Sequence, residues 1–143
     1  MRIRATLPIL ATLLVLANCG GTESNPEASQ PTPQAQAMQH MLADVDQIRA
    51  FLYGSGNQAG AAKAASDLVS WARQMPTLFP PELASRQYVD MSPERARAAT
   101  AAMNREAGLL LAAVQTGDHG MIGDRLAETE RNGCGACHLN STQ

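Results

Sequence analysis

The chain has 143 residues, enough for one domain, and only 3% of them are aromatic. Its apolar residues are mostly Ala, Leu, Met and Val, so strand formers are scarce, and an odd number of cysteines (Cys19, Cys134, Cys137) excludes a complete internal disulfide framework. A formal charge of −2 argues against nucleic acid as a partner.

The first segment reads as an export signal. Arg2 and Arg4 form a basic start, and Leu7 to Leu16 is an apolar run too short to span a bilayer. Residues 1–18 are therefore assigned to a signal peptide and set aside from the fold. Leu16-Ala17-Asn18-Cys19 is similar to a bacterial lipobox, in which Cys19 would be lipidated and become the mature N-terminus. Asn18 departs from that pattern, which prefers Gly, Ala or Ser. The other exit is cleavage after Ala17, leaving Cys19 as a free thiol. Residues 19–33 are rich in Gly, Ser and Pro with no apolar period, which predicts a flexible tether. At about 3.1 Å per residue it would reach roughly 40 Å.

Residues 34–143 hold the predicted domain. Met38, Met41, Leu42, Val45, Ile48 and Leu52 recur at helical spacing and predict a first helix from about Gln34 to Tyr53. A second helix is expected from about Ala59 to Gln74, with Ala61, Ala64, Ala65, Leu68, Trp71 and Met75 on one side, ended by Pro76. Leu78 and Phe79 then fall in a loop that plugs the bundle end. Ser92, Pro93 and Glu94 make a good start for a third helix, which runs to about Gln115 and closes at Gly117. Asp118 caps a fourth helix carrying Ile122, Leu126, Gly133 and Cys137 and ending near His138 or Leu139. Four amphipathic helices with mostly short connections predict an all-α, antiparallel up-down-up-down bundle. Small inner residues such as Ala64, Ala65, Ala102 and Gly133 leave room for a flat macrocycle.

The last helix carries Cys134-Gly135-Ala136-Cys137-His138. Cys-x-x-Cys-His is the attachment pattern of c-type haem. Two thiols three residues apart lie on one helical face, where each adds across a haem vinyl group as a thioether. The histidine that follows supplies an imidazole nitrogen to the iron. Export and the absence of a second cysteine pair strengthen this reading. A zinc or dithiol module is disfavoured, because tetrahedral zinc usually takes two separated ligand pairs.

The whole pattern resembles the class II cytochromes c, the cytochrome c-prime family. The haem motif lies at the extreme C-terminus, Leu78-Phe79-Pro80 is similar to the Leu-Phe-Pro after the family's second helix, and Gly117-Asp118 stands where the family often has Gly-Asp. The resemblance covers about Gln34 to His138. It implies one haem c per chain, bonded to Cys134 and Cys137 with His138 as the proximal iron ligand. The chain departs from the family after the motif, where Leu139 to Gln143 lacks the usual aromatic and basic residues. The arginine often found before the distal position is also missing. By the resemblance the distal position is Met38. A thioether there raises the reduction potential, whereas a methionine at this spacing is also an ordinary core filler. Met41 and His40 are weaker candidates, and His40 falls about 200° around the helix from Met38. His119 beside the Asp118 cap reads as an exposed turn residue.

Two functions follow as expectations. The first is single-electron transfer in the bacterial periplasm, with an unidentified redox protein as partner and a lipid anchor at Cys19. The second is a five-coordinate cytochrome c-prime that binds NO or CO. No nucleophile–base pair or paired-carboxylate motif points to an enzyme. Without Arg2 and Arg4, nine basic residues face thirteen acidic ones, a balance of about −4 that suits a basic redox partner. A homodimer through the first helices is a further expectation from the family.

Overall fold

The computed structural model describes residues 30–82 and 91–138, and the main compact unit begins at Pro31. Among the described residues four helices form a bundle and no strand occurs. The signal segment, residues 19–29 with Cys19, residues 83–90 and those after His138 lie outside the described residues, and the end expected for the tether, Pro33, is instead the first residue of a helix capped by Thr32.

Helix α1 is Pro33–Leu52. It starts where the Thr32 side chain accepts a hydrogen bond from the Ala35 N–H, with Pro33 pre-set in the first turn. Ala37, Met41, Val45 and Ile48 form its buried stripe. Leu42 was expected in that stripe but is 61% exposed. It is one step off the Met41–Val45–Ile48 line, on the side where the bundle opens.

Helix α2 is Gln58–Leu78, with the Asn57 side chain accepting from Gly60 N–H at 2.8 Å. The sequence predicted an end at Pro76; the helix instead runs through it. A proline lacks the N–H that would bond four residues back, so the ladder loses one rung there. The next turn closes regardless, because the Phe79 N–H donates to Met75 O at 2.7 Å. Leu78 is therefore the last helical residue and Phe79 the cap, rather than both lying in a loop.

Helix α3 is Pro93–Thr116, capped by Ser92 and ended at Gly117, whose φ of +73° is the left-handed conformation that glycine adopts without strain. Helix α4 follows two residues later and has three continuous parts: an α-helix His119–Glu128, a π-helix Thr129–Cys134 and a last α turn Gly135–His138. The Asp118 side chain accepts from the Met121 N–H at 2.9 Å and opens it.

Neighbouring helices pack antiparallel, α1 on α2, α2 on α3 and α3 on α4, and α1 also meets α4. Ile48, Leu68, Met103, Leu110, Val114 and Ile122 are the large fully buried side chains that define the core. Ala61, Ala64, Ala65 and Ala72 line the inner face of α2 and let its neighbours approach closely. Ala102 of α3, also expected to face inward, is half-buried. The apolar stripes converge at the end of α4 without filling the space between them.

Candidate functional site

That space is a cavity of about 610 Å³, walled almost wholly by apolar atoms. Its size falls in the range of ligand pockets, roughly 300–1,000 Å³. The end of α4 supplies Cys134, Cys137 and His138 to one side. Helix α1 supplies Met38, Met41, Leu42 and Val45, α2 supplies Leu68 and Met75, and α3 supplies Thr100 and Met103. Met91 and Phe79 help to close the end. The structure thus brings together four residues singled out in the sequence: Met38, Cys134, Cys137 and His138.

Both thiols are free and half-buried. Burial pushes the Cys134 thiol above its ordinary value, and the nearby Glu130 carboxylate adds to the effect. Burial alone raises Cys137. The two sulfurs are thus held as thiols, with the proton that addition across a double bond consumes. His138 is exposed and Met38 is half-buried, and both line the cavity. Of the other candidates, Met41 is buried in the wall. His40 is exposed and stacks flat on Trp71, with ring centroids 5.1 Å apart, away from the lining residues. His119 is exposed as expected, and meets Phe51 edge-on at 4.8 Å.

Two features of the site escaped the sequence reading. Arg49 of α1 lines the cavity and pairs with Glu130 of α4 at 2.5 Å and with Asp46. The signal was present, because Arg49 continues the cavity-facing series Met38, Leu42, Val45 at i+4, i+7 and i+11. The second is the π-helical stretch directly before the haem motif, for which a count of apolar spacing gives no direct sign.

A flat apolar macrocycle needs apolar walls, two thiols on one helical face and an imidazole beside them, and each is present at this one place. Gln34 and Arg49 place polar groups along the same wall, and Gln34 Nε2 donates to Leu78 O at 3.1 Å. Among the described residues no three His, Cys, Asp or Glu side chains converge to hold a bare metal ion, as a zinc site of the usual kind requires.

A family model for cytochrome c' matches residues 32–140. The chain belongs to the cytochrome c' family. No curated protein and no solved structure matches it. Membership makes this a c-type haem cytochrome, and the four-helix bundle found here is the family's fold. Cys134, Cys137 and His138 stand at the end of the matched region. No helix of this cytochrome, among the described residues, is long and apolar enough to cross a membrane.

Proposed function

We propose that this cytochrome carries one haem c per chain, bonded through Cys134 and Cys137 with His138 on the iron, and transfers single electrons outside the cytoplasmic membrane. The observation that carries the reading is the opening of both thiols and the His138 wall into one apolar cavity faced by Met38. The chain's own residues have separable tasks. Cys134 and Cys137 fix the macrocycle against α4. Apolar side chains of α1, α2 and α3 exclude water, so a charge change inside is compensated by few mobile dipoles. Arg49 and Glu130 tie α1 to α4 beside the cavity. The haem supplies the one-electron iron couple when bound.

Met38 is the proposed sixth ligand, on the support of the family resemblance and of its place in the wall of the same cavity as the motif. It lies on α1, and its thioether is the soft donor that raises a haem potential. The alternative is a five-coordinate haem that binds NO or CO. The distal wall favours it if Met38 turns aside, because Leu42 and Val45 beside it offer no ligand. Export by residues 1–18, a tether over 19–33, lipidation of Cys19, placement in the periplasm and a basic redox protein as partner are parts of the same proposal. They rest on the sequence of the first 33 residues and on the acidic balance of the remainder. A homodimer remains part of it by family likeness alone. The protein is read as a carrier rather than an enzyme.

Optical spectra of the exported protein, oxidised and reduced, beside a Met38→Ala variant, test this. Sharp low-spin bands that collapse in the variant, with carbon monoxide excluded from the parent, are expected. High-spin bands that shift with carbon monoxide in the parent would overturn the electron-carrier reading in favour of gas binding. A correctly exported chain without covalent haem would overturn both.

A further inference from the structure

The π-helical stretch Thr129–Cys134 solves a problem of angular register that the sequence of α4 creates. An α-helix turns about 100° per residue. Counted from Ile122, Leu126 lies at about +40° and Thr129 at about −20°, so the three make one stripe. All three are buried. On the same count Cys134 falls at about +120° and Cys137 at about +60°, and the middle of the pair is roughly a quarter turn off the stripe. A plain α-helix would therefore aim the thiols past the side of the cavity.

Over Thr129–Cys134 the helix opens to hydrogen bonds that span five residues instead of four. One wide turn takes up one extra residue, and everything beyond it turns back by about 100°. The middle of the cysteine pair then lies within about 20° of the stripe. Such single wide turns are frequent at functional sites.

Two contacts to α3 hold the wide turn where it is. Thr129 is fully buried; its hydroxyl donates to Arg125 O at 2.8 Å and reaches Glu106 O of α3 at 3.4 Å. One wide turn later, the backbone of Gly133 presses on Met103 of α3. A Cβ at Gly133 would stand 2.7 Å from Met103 Sδ and 3.6 Å from Met103 Cα, so only glycine allows this approach with Met103 unmoved. The surplus residue lies on the outer side of the turn, where Arg131 and Asn132 are exposed.

We propose that this wide turn is a register device, absorbing one residue so that Cys134 and Cys137 open into the cavity, with Thr129 and Gly133 as the positioning residues that hold it. The proposal rests on the haem-attachment reading. It makes an unusual claim about length: this stretch of α4 is one residue longer than an α-helix needs. Deleting one exposed residue converts the wide turn to a plain α turn and leaves the thiols aimed as before. A deletion within an ordinary helix would instead rotate everything beyond it by about 100°.

The test uses the full chain in a host that attaches haem to exported proteins. One variant deletes Asn132, and a second repeats Asn132 as an added residue. Covalent haem per chain is read by peroxidase stain on a denaturing gel and by intact mass. The reduced spectrum is read for the position of its bands. The deletion is expected to keep haem within about twofold of the parent and to leave the bands in place. The added residue turns the pair away; since displacing reacting groups by 1 Å already costs on the order of 10²-fold in rate, only traces of haem are expected. Loss of haem in the deletion variant, whether it folds or not, would overturn the proposal, as would full haem in the variant with the added residue. A parent without covalent haem would instead sink the attachment reading itself, so the two failures are told apart.

Discussion

Asp44 of α1 has one carboxylate oxygen, Oδ2, buried without a hydrogen-bond partner. Burial raises its pKa above the ordinary 3.8, and the like charge of Asp67 across the α1–α2 seam adds to that, while Lys63 and His40 pull the other way. An acid whose folded pKa is raised binds more protons in the folded state. Its contribution is fully present below about pH 3.8 and is lost as pH rises through the folded value. Asp44→Asn keeps the shape and removes the charge. Denaturant unfolding of parent and variant should therefore agree near pH 3.5, with the variant gaining relative stability as pH rises above 4. A difference that does not change with pH would show that this carboxyl is not strained. Residues like this one were not legible beforehand, because a burial without a partner is a fact of packing. The shared face of Cys134 and Cys137 was legible from their spacing, His138 came with the motif and Met38 through the family resemblance, and all four line one cavity.

The elements were largely written in their ends. Ser92 and Asp118 cap α3 and α4 where the sequence put them, and Gly117 closes α3 in the left-handed conformation. Asp118 satisfies the Met121 N–H, one of the donors a helix start leaves without a partner. Asp118→Ala should lower the unfolding free energy by about 1 kcal/mol without moving the optical bands. A change under roughly 0.3 kcal/mol would mean that water caps the helix equally well. What the ends do not encode is the continuation of α2 through Pro76, because propensity counts the missing donor and not the packing of Met75 and Phe79 that carries the last turn. Nor do they encode the wide turn in α4. Its only trace is a phase conflict between the core stripe and the cysteine pair, visible once both are counted from Ile122.

At the scale of the whole molecule the cavity dominates. With no occupant, the apolar walls of this cavity of about 610 Å³ face water or void, and either costs stability. Domains of this kind are stable by roughly 5–15 kcal/mol in total. A Cys134→Ser/Cys137→Ser double variant, which leaves the fold's other contacts in place, should therefore lose covalent haem and the parent's cooperative unfolding transition together. Heat unfolding followed by circular dichroism checks this. A sharp transition at the parent's temperature in haem-free variant would show that the bundle is self-sufficient. The bundle architecture itself was legible from four apolar periods and short connections. The void was hinted at only by the small inner residues, because a sequence lists side chains and says nothing of the room between them.

The same void bears on the order of events in the life of the chain. If the bundle does not close without its occupant, no sealed, vacant form waits for delivery. The two thiols would then meet their vinyl partners on a chain that is still open, and closure of α1 over α4, with Arg49 reaching Glu130, would come afterwards. Thioether bonds made on the open chain would outlast any later unfolding, so a bundle that opens would close again on the occupant it already carries.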